Sequence, residues 1–116
     1  MSLSINVRSD NGSVIVALAG AADAGMLEPL RDPLAAALSD AQVLVVDLDE
    51  LTVVDTTGLR ALLVDVLASA RGGQLRIATS HAATLTSLAE ARIHHLVGVH
   101  RTVADALGTD RDEVVR

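Results

Sequence analysis

The hydroxyl groups of Thr56 and Thr57 are the side chains of this sequence best placed to undergo a chemical reaction. They stand between Asp55 and Gly58, and a helical pattern of apolar residues follows directly. A helix start has unpaired backbone N–H groups and a partial positive charge, so it favours an Asp or Thr cap and also favours a phosphate. The segment therefore predicts either a cap in a tight strand-to-helix turn or a hydroxyl that accepts a phosphoryl group.

The predicted helix has two different apolar faces. Its core face is expected to carry the series Leu59, Leu62, Leu63, Val66, Leu67 and Ala70. At about 100° per residue, the opposite side carries a hydroxyl and three small apolar residues, which we name the Thr57 stripe: Thr57, Ala61, Val64 and Ala68. Thr56 lies about 100° away and is better placed to fix the turn. Solvent-facing apolar residues beside a hydroxyl that can carry a phosphate are typical of a docking surface with a switch.

Two carboxylates, Asp23 and Asp55, are predicted to lie at the same end of a parallel sheet. Open α/β sheets bind their ligands at that end. The pair could orient a hydroxyl, or each member could cap a helix. The residue types alone leave both roles open.

Two further patterns resemble catalytic motifs. Asp47-Leu48-Asp49 is similar to the strand-end Asp-x-Asp of haloacid-dehalogenase-type phosphatases, where one carboxylate attacks phosphorus and the other acts as an acid. That family also needs a lysine, and this sequence has none. Residues 55–58 are similar to the Asp-Thr-Gly of aspartic proteases, but an additional threonine interrupts the motif. We therefore predict that the chain is not an enzyme.

The four histidines lack the spacing of a metal site, because no pair is separated by four residues and no His-Glu-x-x-His occurs. We expect no metal and no cofactor. His81 is predicted at the end of a strand beside Thr57, so it is retained as a possible partner contact.

Composition limits the class of protein further. The 116 residues suit one domain, 1–116, and a net charge of −6 argues against direct contact with nucleic acid. The sequence contains no cysteine, which agrees with a reducing cytoplasm, and no apolar run approaches the roughly 20 residues of a membrane span. Aromatic residues are also absent, so aliphatic side chains must fill the core.

Alternating patterns predict an α/β fold with a mixed, mainly parallel sheet of about five strands and about four helices. The first strand, 3–8, should pair antiparallel with the second through a turn at 9–12. The remaining elements are expected as a helix at 24–38 that becomes regular at Asp32, a strand at 43–46 followed by an acidic turn at 47–50, the helix after Gly58, a strand at 74–79, a helix at 80–92, a strand at 96–100, a helix at 102–107 and a frayed tail at 109–116.

The strand, the acidic turn, Asp55-Thr56-Thr57-Gly58-Leu59 and the helix together resemble the STAS family, typified by bacterial anti-sigma factor antagonists. The resemblance extends over about residues 14–107, with the domain core at about 12–108. It implies that the second hydroxyl of the motif, Thr57, is phosphorylated. Gly20 and Asp23 match a Gly-Glu-hydrophobic-Asp loop of the family, whereas Ala21 replaces its glutamate.

The resemblance also implies a function. The unphosphorylated protein would bind an anti-sigma factor with serine/threonine kinase activity and so free a sigma factor, and a PP2C-type phosphatase would reverse the phosphorylation. The partner-binding residues expected on this basis are Asp23, Asp55, Thr56, Thr57, Gly58, Ala61, Val64, Ala68 and His81. A STAS scaffold, or an accessory subunit of a transporter or signalling complex, is the alternative.

Overall fold

A five-stranded sheet in the order β1-β2-β3-β4-β5 forms the frame of the protein. The computed structural model describes residues 2–108. β1 pairs antiparallel with β2, and β2 to β5 are parallel neighbours, so the predicted mixed α/β fold is confirmed. The strands are β1 Leu3–Asp10, β2 Ser13–Ala22, β3 Val43–Val54, β4 Gln74–Ala78 and β5 Gly98–His100.

Four helices lie between the parallel strands. They are α1 Ala24–Leu27, α2 Arg31–Asp40, α3 Thr56–Ser69 and α4 Ala82–Glu90, with 3-10 turns at Glu28–Leu30 and Ile93–His95. Because the strand order advances in one direction and parallel crossovers are right-handed, the connecting helices cover the same face of the sheet. Residues 103–108 are also helical.

The sheet separates a large core from a small one. The large core joins Leu44, Val46 and Leu48 of β3 to the buried sides of α2 and α3. Alternate residues of the same strand, Val43 and Val45, face the other way and pack with Ala106 from the helical residues 103–108. This alternation explains the unbroken apolar run at 43–46, because β3 is buried on both faces at that level.

The hairpin between β1 and β2 is confirmed. Asn11 and Gly12 both have positive φ, 51° and 86°, as a tight turn between twisted strands requires. The register places Val7 opposite Val16 and Asp10 opposite Ser13, so β1 is longer than the predicted 3–8.

The predicted acidic turn at 47–50 is wrong. β3 continues through these residues to Val54 because β2 pairs with it as far as Ala22, with two register shifts that accommodate the two additional residues of β3. β4 pairs with β3 only as far as Asp47. Residues 48–54 of β3 therefore extend beyond the rest of the parallel sheet with β2 as their neighbour, and they lead directly into α3.

Two smaller predictions are corrected by the structure, and a third concerns residues that it does not describe. The regular helix α2 begins at Arg31, one residue before the predicted Asp32, because it directly continues the 3-10 turn that contains Pro29. Leu67 is not part of the core face of α3, because 37% of its surface is exposed. The predicted frayed tail at 109–116 lies outside the described residues.

Candidate functional site

Asp55 caps helix α3. Its backbone is extended, and its Oδ1 accepts a hydrogen bond from the Gly58 backbone N–H at 3.0 Å. This bond satisfies one of the unpaired donors of the first turn. Thr56 and Thr57 are therefore the first two residues of the helix, and the role of fixing the turn belongs to Asp55 and not to Thr56.

Thr57 is exposed at the N-terminal end of α3. Among the hydrogen bonds within residues 2–108, none involves its hydroxyl group. Thr56 is only half-exposed. Of the two hydroxyl groups, the one on Thr57 is more accessible to a partner or a kinase.

The rest of the Thr57 stripe is also exposed. Ala61, Val64 and Ala68 face solvent, and Val64 has 39% of its surface accessible. The exposed Leu67 lies beside them and widens the apolar surface. The opposite side of α3 is buried, with Leu59, Leu62, Leu63 and Val66 in the large core. The helix thus has two apolar faces, one of them packed in the core and the other open.

Asp23 caps helix α1 in the same way that Asp55 caps α3. Its Oδ1 accepts a hydrogen bond from the Met26 backbone N–H at 2.9 Å. The Asp55 backbone N–H donates to the Ala22 carbonyl oxygen at 2.8 Å, which joins the ends of β2 and β3. Asp23 and Asp55 therefore lie at the same end of the sheet, as predicted, and each is engaged as a helix cap.

Gly58 allows helices α1 and α3 to approach each other closely. A Cβ atom at this position would lie 3.0 Å from both Cα and Cβ of Ala24. A larger residue would require α1 to move by a few tenths of an ångström away from the start of α3. The glycine of the motif therefore sets the distance between two elements of the site.

A groove of about 140 Å³ runs between α1, the 3-10 turn after it and α3. It borders the Thr57 stripe through Ala61, and charged side chains surround its apolar floor. Its lining residues are Ala24, Glu28, Arg31, Gly58, Ala61, Leu62 and Asp65. Glu28 and Arg31 were not predicted as residues of the site. An acidic and a basic residue near a proline do not indicate that their segment forms a groove with α3.

His81 lies away from Thr57. Its Nε2 is 2.6 Å from the Asp49 carbonyl oxygen, and Asp49 precedes Asp55 by six residues along β3. The Asp49 carboxylate accepts hydrogen bonds from the backbone N–H and the hydroxyl of Ser80. These bonds tie the end of β4 to β3, so the structure groups His81 with Asp49 and Ser80.

The Asp-x-Asp pair of β3 has structural hydrogen bonds. Asp47 Oδ1 accepts the Asp49 backbone N–H at 3.0 Å. No group of three or more potential metal ligands occurs within residues 2–108. Over the same residues, no helix is long and apolar enough to cross a membrane.

Comparison with known proteins places this geometry in a family. The family model described as Mlab, STAS domain, matches residues 5–98. No curated protein sequence matches the chain.

Three solved structures illustrate the similarity in fold. The crystal structure of an anti-sigma factor antagonist from Mycobacterium paratuberculosis has 22% sequence identity, covers 96% of each chain and gives a TM-score of 0.80. The STAS domain of a SulP transporter from Vibrio cholerae has 19% identity over 93% of this chain and 88% of that chain, with a TM-score of 0.72. The anti-sigma factor antagonist SpoIIAA in its unphosphorylated form has 15% identity over 94% of this chain and 97% of that chain, with a TM-score of 0.69.

At these identities the structural matches concern the fold alone. The family model matches residues 5–98 and so covers most of the chain. The chain therefore belongs to the STAS domain family.

Proposed function

We propose that this protein is an anti-sigma factor antagonist controlled by phosphorylation of Thr57. The unphosphorylated form binds an anti-sigma factor with serine/threonine kinase activity and releases a sigma factor. The partner uses ATP to phosphorylate Thr57, and a PP2C-type phosphatase removes the phosphate. The protein acts in the cytoplasm as a binding protein, neither as an enzyme nor as a DNA-binding protein.

The observation that carries this proposal is the open apolar face of α3, which begins at an exposed threonine. Val64 and Leu67 are among the most exposed large apolar residues of the described chain. A helix with one buried apolar face and a second open one offers a surface that a partner can desolvate. Thr57 lies at the end of that surface, where a kinase can reach its hydroxyl.

Electrostatics explains how phosphorylation would switch binding off. A phosphate adds about −1.5 to −2 charges to a chain whose net charge is −6. The helix N-terminus favours a negative charge at Thr57, so the modification leaves the fold intact. A partner surface that covers the Thr57 stripe, however, would have to desolvate the phosphate. The free-energy cost falls on the complex and not on the free protein.

A kinase assay and a binding assay test the proposal together. Incubation with candidate anti-sigma kinases and ATP, followed by intact-mass measurement and phosphopeptide mapping, should locate one phosphate on Thr57. Thr57→Ala should abolish phosphorylation and retain binding, whereas Thr57→Glu should weaken binding. Phosphate on Thr56, or on neither residue with the cognate kinase present, would contradict the proposal.

A STAS scaffold or transporter subunit is the second candidate, favoured by the similarity of the fold to the SulP transporter domain. In that case Thr57 would not be phosphorylated, and binding would be to a transporter component. Neighbouring reading frames distinguish the two functions, since a kinase-like anti-sigma factor supports the first and transporter genes support the second.

A further inference from the structure

Within residues 2–108, strand β1 leaves one edge of the sheet open along its whole length. It occupies the end of the strand order, and its residues after Leu3 are all exposed. Open edges are commonly protected by proline, lysine or a bulge. β1 contains neither residue type, and its pairing with β2 runs from Leu3 to Asp10 without a register shift.

The hydrogen-bond pattern determines which backbone groups point outward from this edge. The Ala21 backbone N–H donates to the Ser2 carbonyl oxygen, so Ser2 and Ala21 form a hydrogen-bonded pair of the β1–β2 ladder. Such pairs alternate along antiparallel strands. The N–H and C=O groups of Leu3, Ile5 and Val7 therefore point away from β2, toward the open edge.

The same residues carry the apolar side chains of β1. Ile5 and Val7 lie opposite Leu18 and Val16, so their side chains are on the face of the sheet that the helices cover. At the edge they are beyond that cover, with 46% and 62% of their surfaces exposed. Val7 is the most exposed large apolar residue of the described chain.

We infer that the open edge of β1 pairs with β1 of a second copy of this chain. A two-fold axis makes the two strands antiparallel, which matches the outward hydrogen-bonding groups. With the axis at Ile5, residues 2–8 of the two copies pair and Ile5 lies opposite its own copy. Leu3 then lies opposite Val7, and the two five-stranded sheets become continuous.

Self-complementarity identifies the occupant as a second copy. In this register every apolar side chain of the segment lies opposite another apolar one. On the other face, Arg8 lies opposite Ser2 and Ser4 opposite Asn6, so no like charges meet. Asp10 falls outside the paired segment. A strand of another protein would need the same alternation of apolar and polar residues to pair with β1. A second copy of this chain always carries that alternation.

The interface between the two copies is small, so their affinity for each other is low. Pairing of one strand per copy, with few apolar side chains, belongs to the class of interfaces below about 1,200 Å². Each copy also carries a net charge of −6, and the resulting repulsion weakens at high ionic strength. The dimer is therefore weak, depends on protein concentration and is strengthened by added salt.

Sedimentation velocity over a wide range of protein concentration, at low and high salt, tests the dimer. Association should increase with both variables. Val7→Lys should abolish association, because it places a charge inside the apolar pairing, and it should leave anti-sigma factor binding unchanged. Val64→Lys is the matched control, since it introduces the same change at an exposed residue of α3. This control should retain the dimer and lose the partner.

Loss of the dimer in Val64→Lys, its persistence in Val7→Lys, or a monomer at every concentration would overturn the inference. Hydrogen exchange provides an independent measurement, since the amides of Ile5 and Val7 should become protected as concentration rises. Protection that is independent of concentration would overturn it too, because another part of the same chain would then cover the edge.

Cysteine cross-linking tests the register. The natural sequence contains no cysteine, so each single-cysteine variant has one reactive thiol. The two copies of Ile5→Cys should be joined efficiently by a short thiol-specific cross-linker. The two copies of Val7→Cys lie four residues apart along the paired strands, about 14 Å, and should not be joined by a reagent shorter than that. The opposite result would overturn the proposed register.

Discussion

The backbone N–H of Asp55 donates a hydrogen bond to the carbonyl oxygen of Ala22, with 2.8 Å between nitrogen and oxygen. The bond joins the last residue of β2 to the residue that caps α3. It therefore fixes the start of α3, and with it Thr57, relative to the sheet. The position of the proposed switch depends on backbone pairing and on one carboxylate.

The first prediction concerns that carboxylate. Asp55→Ala should lower the free energy of unfolding by about 1 kcal/mol, because the Gly58 N–H loses its cap. Asp55→Asn, which keeps a side-chain oxygen, should cost less. Thr56→Ala is the matched control and should change stability little, since Thr56 is not the cap. Urea unfolding of the variants measures these differences; an equal loss in Thr56→Ala would show that its hydroxyl shares the capping role.

The second prediction compares two neighbouring residues on opposite faces of α3. Leu63 is 1% exposed and Val64 is 39% exposed. Leu63→Asp should destabilise the fold by more than about 3 kcal/mol, because it removes a core side chain and buries an unpaired charge. Val64→Asp should change stability by less than about 1 kcal/mol. Thermal melts of both variants check the assignment, and a Leu63→Asp melt close to that of the parent protein would refute it.

The third prediction separates the stability of the free protein from partner binding at Thr57. Thr57→Glu places a negative charge at the second residue of α3 and replaces a β-branched residue by a better helix former. The free energy of unfolding should therefore stay the same or rise by about 0.5 kcal/mol. Weaker partner binding by such a stable variant could not be attributed to unfolding. A clear decrease in melting temperature would contradict this expectation.

The fourth prediction tests the absence of enzyme activity. Asp47 accepts a hydrogen bond from the Asp49 backbone N–H within β3, Asp49 accepts one from Ser80 after β4, and the chain contains no lysine. The purified protein should release no phosphate from ATP or from a simple phosphate ester. Activity that survives purification and disappears in Asp47→Asn would instead support the phosphatase alternative.

Local patterns predicted the elements of the fold well, because each was coded by neighbouring residues. The hairpin followed from Asn11-Gly12, and the two faces of α3 followed from its helical periodicity. The continuation of β3 through residues 47–50 could not be predicted, since acidic residues discourage a strand locally and only pairing with β2 extends it. The same limit explains Leu67, whose exposure depends on how the neighbouring elements pack around α3.

The site was predictable to the extent that it lies on one helix. Thr57, Ala61, Val64 and Ala68 share a face by periodicity alone, and the structure places them together on the exposed side of α3. The position of His81 depends on where β4 ends relative to β3, which is a tertiary relationship. The groove between α1 and α3 depends on the close approach at Gly58, which no local pattern encodes.

The extension of β3 beyond β4 has a consequence for the dynamics of the site. At the level of residues 43–47, β3 has hydrogen-bonded neighbours on both sides, whereas beyond Asp47 its ladder partners are residues of β2 alone. Local opening of the extended part breaks fewer interstrand bonds, so its amides should exchange with solvent sooner than those at the sheet centre. The start of α3 thus follows the part of β3 that opens more easily. It can adjust to a partner while the hydrogen bonds at the centre of the sheet stay intact.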